Sequence, residues 1–334
     1  MATSSNSCAS EGGASRIDNV ETLMQCTSSP MAVPVSDQSG ACAHEAHWPK
    51  TRKAFVRLSL AVNIVVLIPV CTVLIAFSSS EQVYYAWGQP TSGRGILLSI
   101  YFAFLIVSIL LLAMHSRNSN NAAIHHMVAA LLATQIMKKV STPATAGADN
   151  PVAISNLCIS ALHVVTLYLL WKGRQQNEVQ VSDQRGAGAP EAYLPNTRKA
   201  FVRLSLAVNI VVLIAVCTVL IAFSTSEPVV RSWGPQTSGR GILLSIYFAI
   251  LVVSILLLAI HSRNPNNAAI HHMVAVLLAT QIIYKVSTPA TAGAANPVAI
   301  SNLCISGFHA VTLYLIWKGQ NYGILGQQSM PHSS

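Results

Sequence analysis

Residues 51 to 60 read TRKAFVRLSL, and the same ten letters return unaltered at residues 197 to 206, 146 positions further on. Each copy opens a long apolar run; the first is AFVRLSLAVNIVVLIPVCTVLIAF, residues 54 to 77. About 20 predominantly apolar residues suffice to cross a bilayer as helix. This stretch therefore raises both questions that decide the fold: whether the chain lives in lipid, and why it is written twice.

Composition answers the first. Of 334 residues only 9% are charged, against 52% hydrophobic, whereas a soluble domain carries roughly 25% charge to hydrate its surface. The net charge of +9 comes from small basic clusters beside apolar runs. A nucleic-acid binder gathers such charge on one patch, so the reading excludes nucleic acid and makes the lipid bilayer the partner. Seven cysteines show no Cys-x-x-Cys pair or zinc-like cluster and imply no disulfide framework.

The offset answers the second. It carries Trp87 to Trp233 and Trp171 to Trp317, and the match runs without a gap from Val33/Val179 to Gly173/Gly319. Each copy holds four apolar runs, in the first copy about 54 to 77, 95 to 115, 121 to 140 and 152 to 171. The fold class expected is an all-α membrane protein, a tandem duplication of a four-transmembrane-helix unit with eight transmembrane helices in total. The third run, with His125, His126, Gln135, Lys138 and Lys139, is the least apolar. The expected domains are a disordered cytoplasmic tail at 1–47, a first four-helix membrane repeat at 48–174 and a cytoplasmic linker at 175–195. A second repeat at 196–319 and a short cytoplasmic tail at 320–334 complete the chain.

Differences between the copies crowd one segment, with Gln82/Pro228, Tyr84/Val230, Tyr85/Arg231 and Gln89/Pro235, which reads as a solvated loop tolerant of change. Placing the amino terminus inside puts 14 of the 20 Lys and Arg on the inner side; the outer six include Lys138, Lys139 and Lys285. The positive-inside rule then makes both termini cytoplasmic. Four spans per copy make the repeat a parallel one, and two four-helix bundles are expected side by side about an axis normal to the membrane.

All eleven Asp and Glu fall outside the apolar runs. Ion-coupled transporters commonly use an intramembrane carboxylate, and paired carboxylates for acid–base chemistry are missing too. The expectation is a protein that is not an enzyme, with no catalytic residue, metal or cofactor, acting by helix packing with a membrane-protein partner or by self-association. The candidate polar interior face lies on the fourth run: Asn156, Ser160, His163 and Thr166, repeated as Asn302, Ser306, His309 and Thr312. Spacings of four, three and three put them on one helical face, which should look toward Ser59 and Asn63. Interhelical hydrogen bonding is the leading reading; a small-solute or proton path centred on His163 and His309 is the alternative.

The decapeptide NNAAIHHMVA at 120–129 recurs at 266–275. Adjacent helical residues point about 100° apart, so only one histidine of each pair should face the bundle while the other snorkels to the interface. A metal or haem site built from His115, one of the pair and His163 lacks a Cys or carboxylate to complete it. Gly93-Arg-Gly95 reads as a turn entering the second helix, not a phosphate loop. Ser99 with Ala103, and Ala129 with Ala133, are small residues four apart that let helices approach closely.

At Ile75-Ala-Phe77, the Tyr-bearing loop and Gly95-Ile-Leu-Leu-Ser-Ile100, each unit resembles the four-span membrane proteins called tumour protein p53-inducible protein 11. The similarity covers about the first half of each repeat. It implies membrane residence and carries no catalytic residue. The duplication and the histidine pair are departures from that family's single-unit pattern.

Overall fold

The computed structural model describes residues 50–77, 79–87, 91–184 and 196–328, all helices and short connections with no strand among them. The expected tail at 1–47, the linker beyond residue 184 and the last residues, 329–334, lie outside the described residues. The first half contains α1 (Lys50–Ala76), α2 (Glu81–Trp87), α3 (Ser92–Arg117), α4 (Ala122–Ala146) and α5 (Pro151–Gln184). The second half contains α6 (Asn196–Ala222), α7 (Glu227–Trp233), α8 (Ser238–Arg263), α9 (Ala268–Ala292) and α10 (Pro297–Gln328). Helix α5 continues past the expected span end near residue 171, into the segment read as linker.

Local chemistry sets the helix ends. Asn121 Oδ1 accepts the Ala123 N–H at 2.9 Å and Asn267 does the same for Ala269, the side-chain capping that Asn supplies best. Gly147 and Gly293, at φ +98° and +95°, stop α4 and α9 in a conformation that costs little only for glycine. Asn150 then caps α5, accepting from Val152 N at 2.8 Å, with Pro151 at the first helical position, where its missing N–H is harmless. The breaker-rich stretch from Pro143 to Pro151 is therefore mostly helix. Pro143 and Pro289 sit within the last turns of α4 and α9, and side-chain hydroxyls add bonds around them: Ser141 and Thr142 donate back to the carbonyls of Met137 and Lys138, both at 2.8 Å, and Thr145 to that of Ser141 at 3.2 Å.

Among the described residues seven helices are long and apolar enough to cross a membrane: α1, α3, α6, α8, α9, and the stretches Pro151–Gln175 of α5 and Pro297–Lys318 of α10. The chain is thus an all-helical polytopic membrane protein. Helix α4 has the same length as α9 but carries Lys138 where α9 has Tyr284, and it is not among the seven. The segment read as a solvated loop holds the short helices α2 and α7, whose Val83, Ala86, Val229 and Ser232 are buried. Near the far ends of the membrane-crossing stretches of α5 and α10, Trp171 and Trp317 are exposed, each with its ring centroid 6.1 Å from that of Tyr168 or Tyr314, the amphipathic aromatic pairing found at headgroup level.

The halves do not form two self-contained bundles. Helix α3 packs most extensively on α9, and α4 on α8, while α3 with α4 and α8 with α9 make only slight contact. The resulting order of neighbours is α1, α3, α9, α10, α6, α8, α4, α5 and back to α1, with α4 against α9 at the centre. The expected side-by-side placement is corrected to an interlocked one, because each half sends its second and third long helices into the other. Burial follows this order: 61% of the most apolar window of α9 is buried, against 33% for α1 and 28% for α5. The outer faces of α1 and α6 expose residues such as Val65, Ile75, Val211 and Ile221, apolar surface that suits lipid.

Glycine makes the interlock close. A Cβ on Gly93 would lie 2.0 Å from the Trp233 carbonyl oxygen, and one on Gly239 would meet that of Trp87 at the same distance. Both glycines lie inside the first turns of α3 and α8. The pair Gly93 and Gly95 is thus a packing surface between halves, extended by Ser99 Oγ and Thr288 Oγ1 at 3.3 Å and by Thr142 Oγ1 and Ser245 Oγ at 3.2 Å.

Candidate functional site

The fourth long helix of each half carries its polar face inward: Asn156, Ser160, His163 and Thr166 are buried, as are Asn302, Ser306, His309 and Thr312. In the first half His163 Nε2 donates to Asn63 Oδ1 at 3.1 Å, and Thr166 Oγ1 shares a 2.7 Å hydrogen bond with Ser59 Oγ. Asn156 Nδ2 reaches Thr142 Oγ1 at 3.4 Å, and Ser160 bonds to the carbonyl of Leu157 on its own helix at 2.8 Å. The stripe therefore ties α5 to α1 and α4.

The second half uses the same residue types in a different arrangement. Here His309 Nδ1 pairs with Ser205 Oγ at 2.8 Å, and Asn209 Nδ2 turns away to donate to Ser254 Oγ of α8 at 2.7 Å. Asn302 Nδ2 still reaches Thr288 Oγ1 at 3.3 Å, Ser306 bonds to the Leu303 carbonyl at 2.8 Å, and Thr312 to that of Phe308 at 3.1 Å. The two equivalent imidazoles thus address positions a helical turn apart on the neighbouring helix. In both halves the face engages protein groups, although Asn63 Nδ2, His163 Nδ1 and His309 Nε2 are buried without a hydrogen-bond partner and Asn302 also lines a cavity.

Lysines lie deeper than the sequence indicates. Counted among the outer charges, Lys138, Lys139 and Lys285 are instead 2%, 4% and 2% exposed inside the bundle. Lys138 Nζ sits 4.1 Å from the centroid of the Tyr101 ring and 5.7 Å from that of Phe104, within cation–π range. Lys139 donates to Gln135 at 3.4 Å, and Lys285 to Gln281 at 3.1 Å and to the Tyr284 hydroxyl. The sequence signal available was the i, i+4 spacing of Gln135 with Lys139 and of Gln281 with Lys285, a repeated polar pair in an otherwise apolar run.

Beside Lys285 lies a cavity of about 200 Å³. Its floor is Tyr247, Tyr284 and Lys285, all buried, and its mouth runs between Val212 and Val216 of α6 and Ser301 and Ile305 of α10. Helix α7 closes one end with Ser232 and Trp233.

At the other end of the bundle the histidine pairs divide: His125 and His271 are buried, while His126 and His272 are half-buried. His125 lies 5.4 Å from His115 between ring centroids, His271 lies 5.3 Å from His261, and the half-buried pair stacks between halves at 6.5 Å. His163 is engaged with Asn63. Among the described residues no three His, Cys, Asp or Glu side chains come together in a way that could hold a metal ion.

Comparison with known protein families, with characterised proteins and with solved structures finds no match for this chain.

Proposed function

We propose that the chain is an eight-span integral membrane protein, a tandem duplication of a four-helix unit, that acts through helix packing and contacts with a membrane-protein partner or a further copy of itself, without a catalytic step. The observation that carries this reading is the interhelical hydrogen bonding of the fourth-helix polar face. Its imidazole, hydroxyl and amide groups find partners on α1, α4, α6 and α9 or on their own helix. Buried polar groups in lipid seek such partners, and each interhelical bond contributes about 0.6 kcal/mol on average.

Counting α4 as the eighth span fits its 25 residues, which at about 1.5 Å per residue exceed the hydrocarbon thickness of about 30 Å. Burial of its lysines, Lys138 over the Tyr101 and Phe104 rings of α3 and Lys139 beside Gln135, removes them from lipid, where their cost would be highest. Removing Lys138, Lys139 and Lys285 from the outer count leaves Arg94, Arg231 and Arg240 there, which sharpens the inner bias and supports cytoplasmic termini. A solute or proton path along the same face needs continuous access to water; the one face residue at a cavity is Asn302, and the bonds from His163, Thr166 and His309 to α1 and α6 favour packing.

Reconstitution into liposomes tests this. Proton and glycerol flux are expected to equal those of protein-free vesicles; a flux above that level, abolished by His163→Gln together with His309→Gln, would instead establish the transport reading.

A further inference from the structure

The cavity beside Lys285 sets a buried lysine at its wall, and no Asp or Glu is among its lining residues. We propose that it binds the carboxylate head of a single-chain amphiphile, such as a free fatty acid, which enters from the surrounding lipid between α6 and α10.

An ammonium carries three donors, and Gln281 Oε1 and the Tyr284 hydroxyl account for two of those on Lys285. Lys285 lines the cavity, which leaves its third donor for an occupant. Neither partner is charged. A buried ammonium is costly without a compensating anion, and no Asp or Glu lies in α4 or in any of the seven membrane-crossing stretches. An anionic ligand completes the site in a way the chain's own residues do not.

The mouth tells what is attached to the anion. Ser301 is exposed, and Val212, Val216 and Ile305 are half-buried on the outward faces of α10 and α6. The opening therefore faces the same surroundings as the lipid-facing residues of those helices, and its rim is apolar except for one hydroxyl. A head group drawn to Lys285 leaves its tail lying along that rim, in hydrocarbon.

Size narrows the head. Drug-sized ligands occupy about 300–1,000 Å³, so 200 Å³ takes only part of a molecule. At about 30 Å³ for a water-sized group there is room for a carboxylate and a few methylenes, not for a phosphodiester with its glycerol and two chains. One ammonium also matches one negative charge.

The test is equilibrium binding of radiolabelled decanoate to the full chain in nanodiscs of neutral phosphatidylcholine. Binding is expected to saturate, and Lys285→Met is expected to lower the number of sites per chain by one. Counting sites keeps the result readable if Lys139, at the matching position of the first half, holds a second one. Ser301→Trp, an exposed position that plugs the mouth while leaving Lys285 in place, should remove the same site and decides the matter if the Lys285 variant does not fold. Decanol should not compete, and decyl phosphate should compete at least tenfold more weakly than unlabelled decanoate. An unchanged site number in the folded variants, equal competition by decanol, or tighter competition by decyl phosphate would each overturn the proposal.

Discussion

Gly95 lies so close to Thr291 that a Cβ at position 95 would stand 2.2 Å from the Thr291 carbonyl oxygen, and Gly241 repeats the relation against Thr145 at 2.1 Å. Backbone touches backbone across the two halves, which only a residue without a side chain permits. This is the principle of small-residue helix packing in lipid, where close van der Waals approach replaces the hydrophobic drive that water gives to soluble bundles.

Gly95→Ala and Gly241→Ala should each therefore destabilise the protein by about 1–3 kcal/mol, the usual cost of overpacking, seen as a lower midpoint of thermal unfolding in detergent. Gly307→Ala is the internal control. A Cβ there meets nothing within 4 Å, the matching residue of the first half is Ala161, and the change should be neutral or stabilising by up to about 1 kcal/mol.

The polar face makes a second prediction. His163 and Asn63 are in direct contact at 3.1 Å, so their substitutions should be non-additive. A double-mutant cycle with Asn63→Ala and His163→Ala should give a coupling of about 0.6–1.7 kcal/mol, the range of interhelical bonds in membranes. His163 with Ser205, on the helix that serves His309 instead, should show none.

A third concerns the difference between α4 and α9. Lys138→Tyr copies the residue that α9 carries at the matching place, Tyr284, and replaces a buried amine held over an aromatic ring. Replacing a buried charged group by packed apolar volume is commonly neutral or stabilising by about 1–4 kcal/mol. The unfolding midpoint should stay level or rise, whereas Tyr101→Leu, which removes the ring beneath the ammonium, should lower it.

Much of this was legible in the sequence, and the illegible part has a definite cause. Long apolar runs locate the helices, and the spacing from Asn156 to Thr166 locates their inward face, because both depend on one helix at a time. Pairing between helices is another matter. Where α4 and α9 differ at so few positions, any surface of α3 that fits one fits the other, so composition cannot say whether α3 packs within its own half. The depth of Lys138 and Lys139 was hidden for a related reason. Two adjacent lysines close to Pro143 read as the end of a span, and only the continuation of α4 to Ala146, with the Thr145 hydroxyl bonding back across the proline to the Ser141 carbonyl, carries them inward.

The interlocked halves are the central claim, and a cysteine pair tests them most directly. In a chain whose native cysteines are replaced, Ser99→Cys with Thr288→Cys should form a disulfide on mild oxidation, since the two hydroxyl oxygens lie 3.3 Å apart and thiols in their places are within reach of each other. After proteolysis between the halves, within 185–195, the two fragments should then migrate as one species until reduced. Ser99→Cys with Thr142→Cys, the equivalent pair within the first half, should remain unlinked. The reverse pattern, an efficient link at 99 and 142 and none at 99 and 288, would mean that each half folds on itself and would contradict the account.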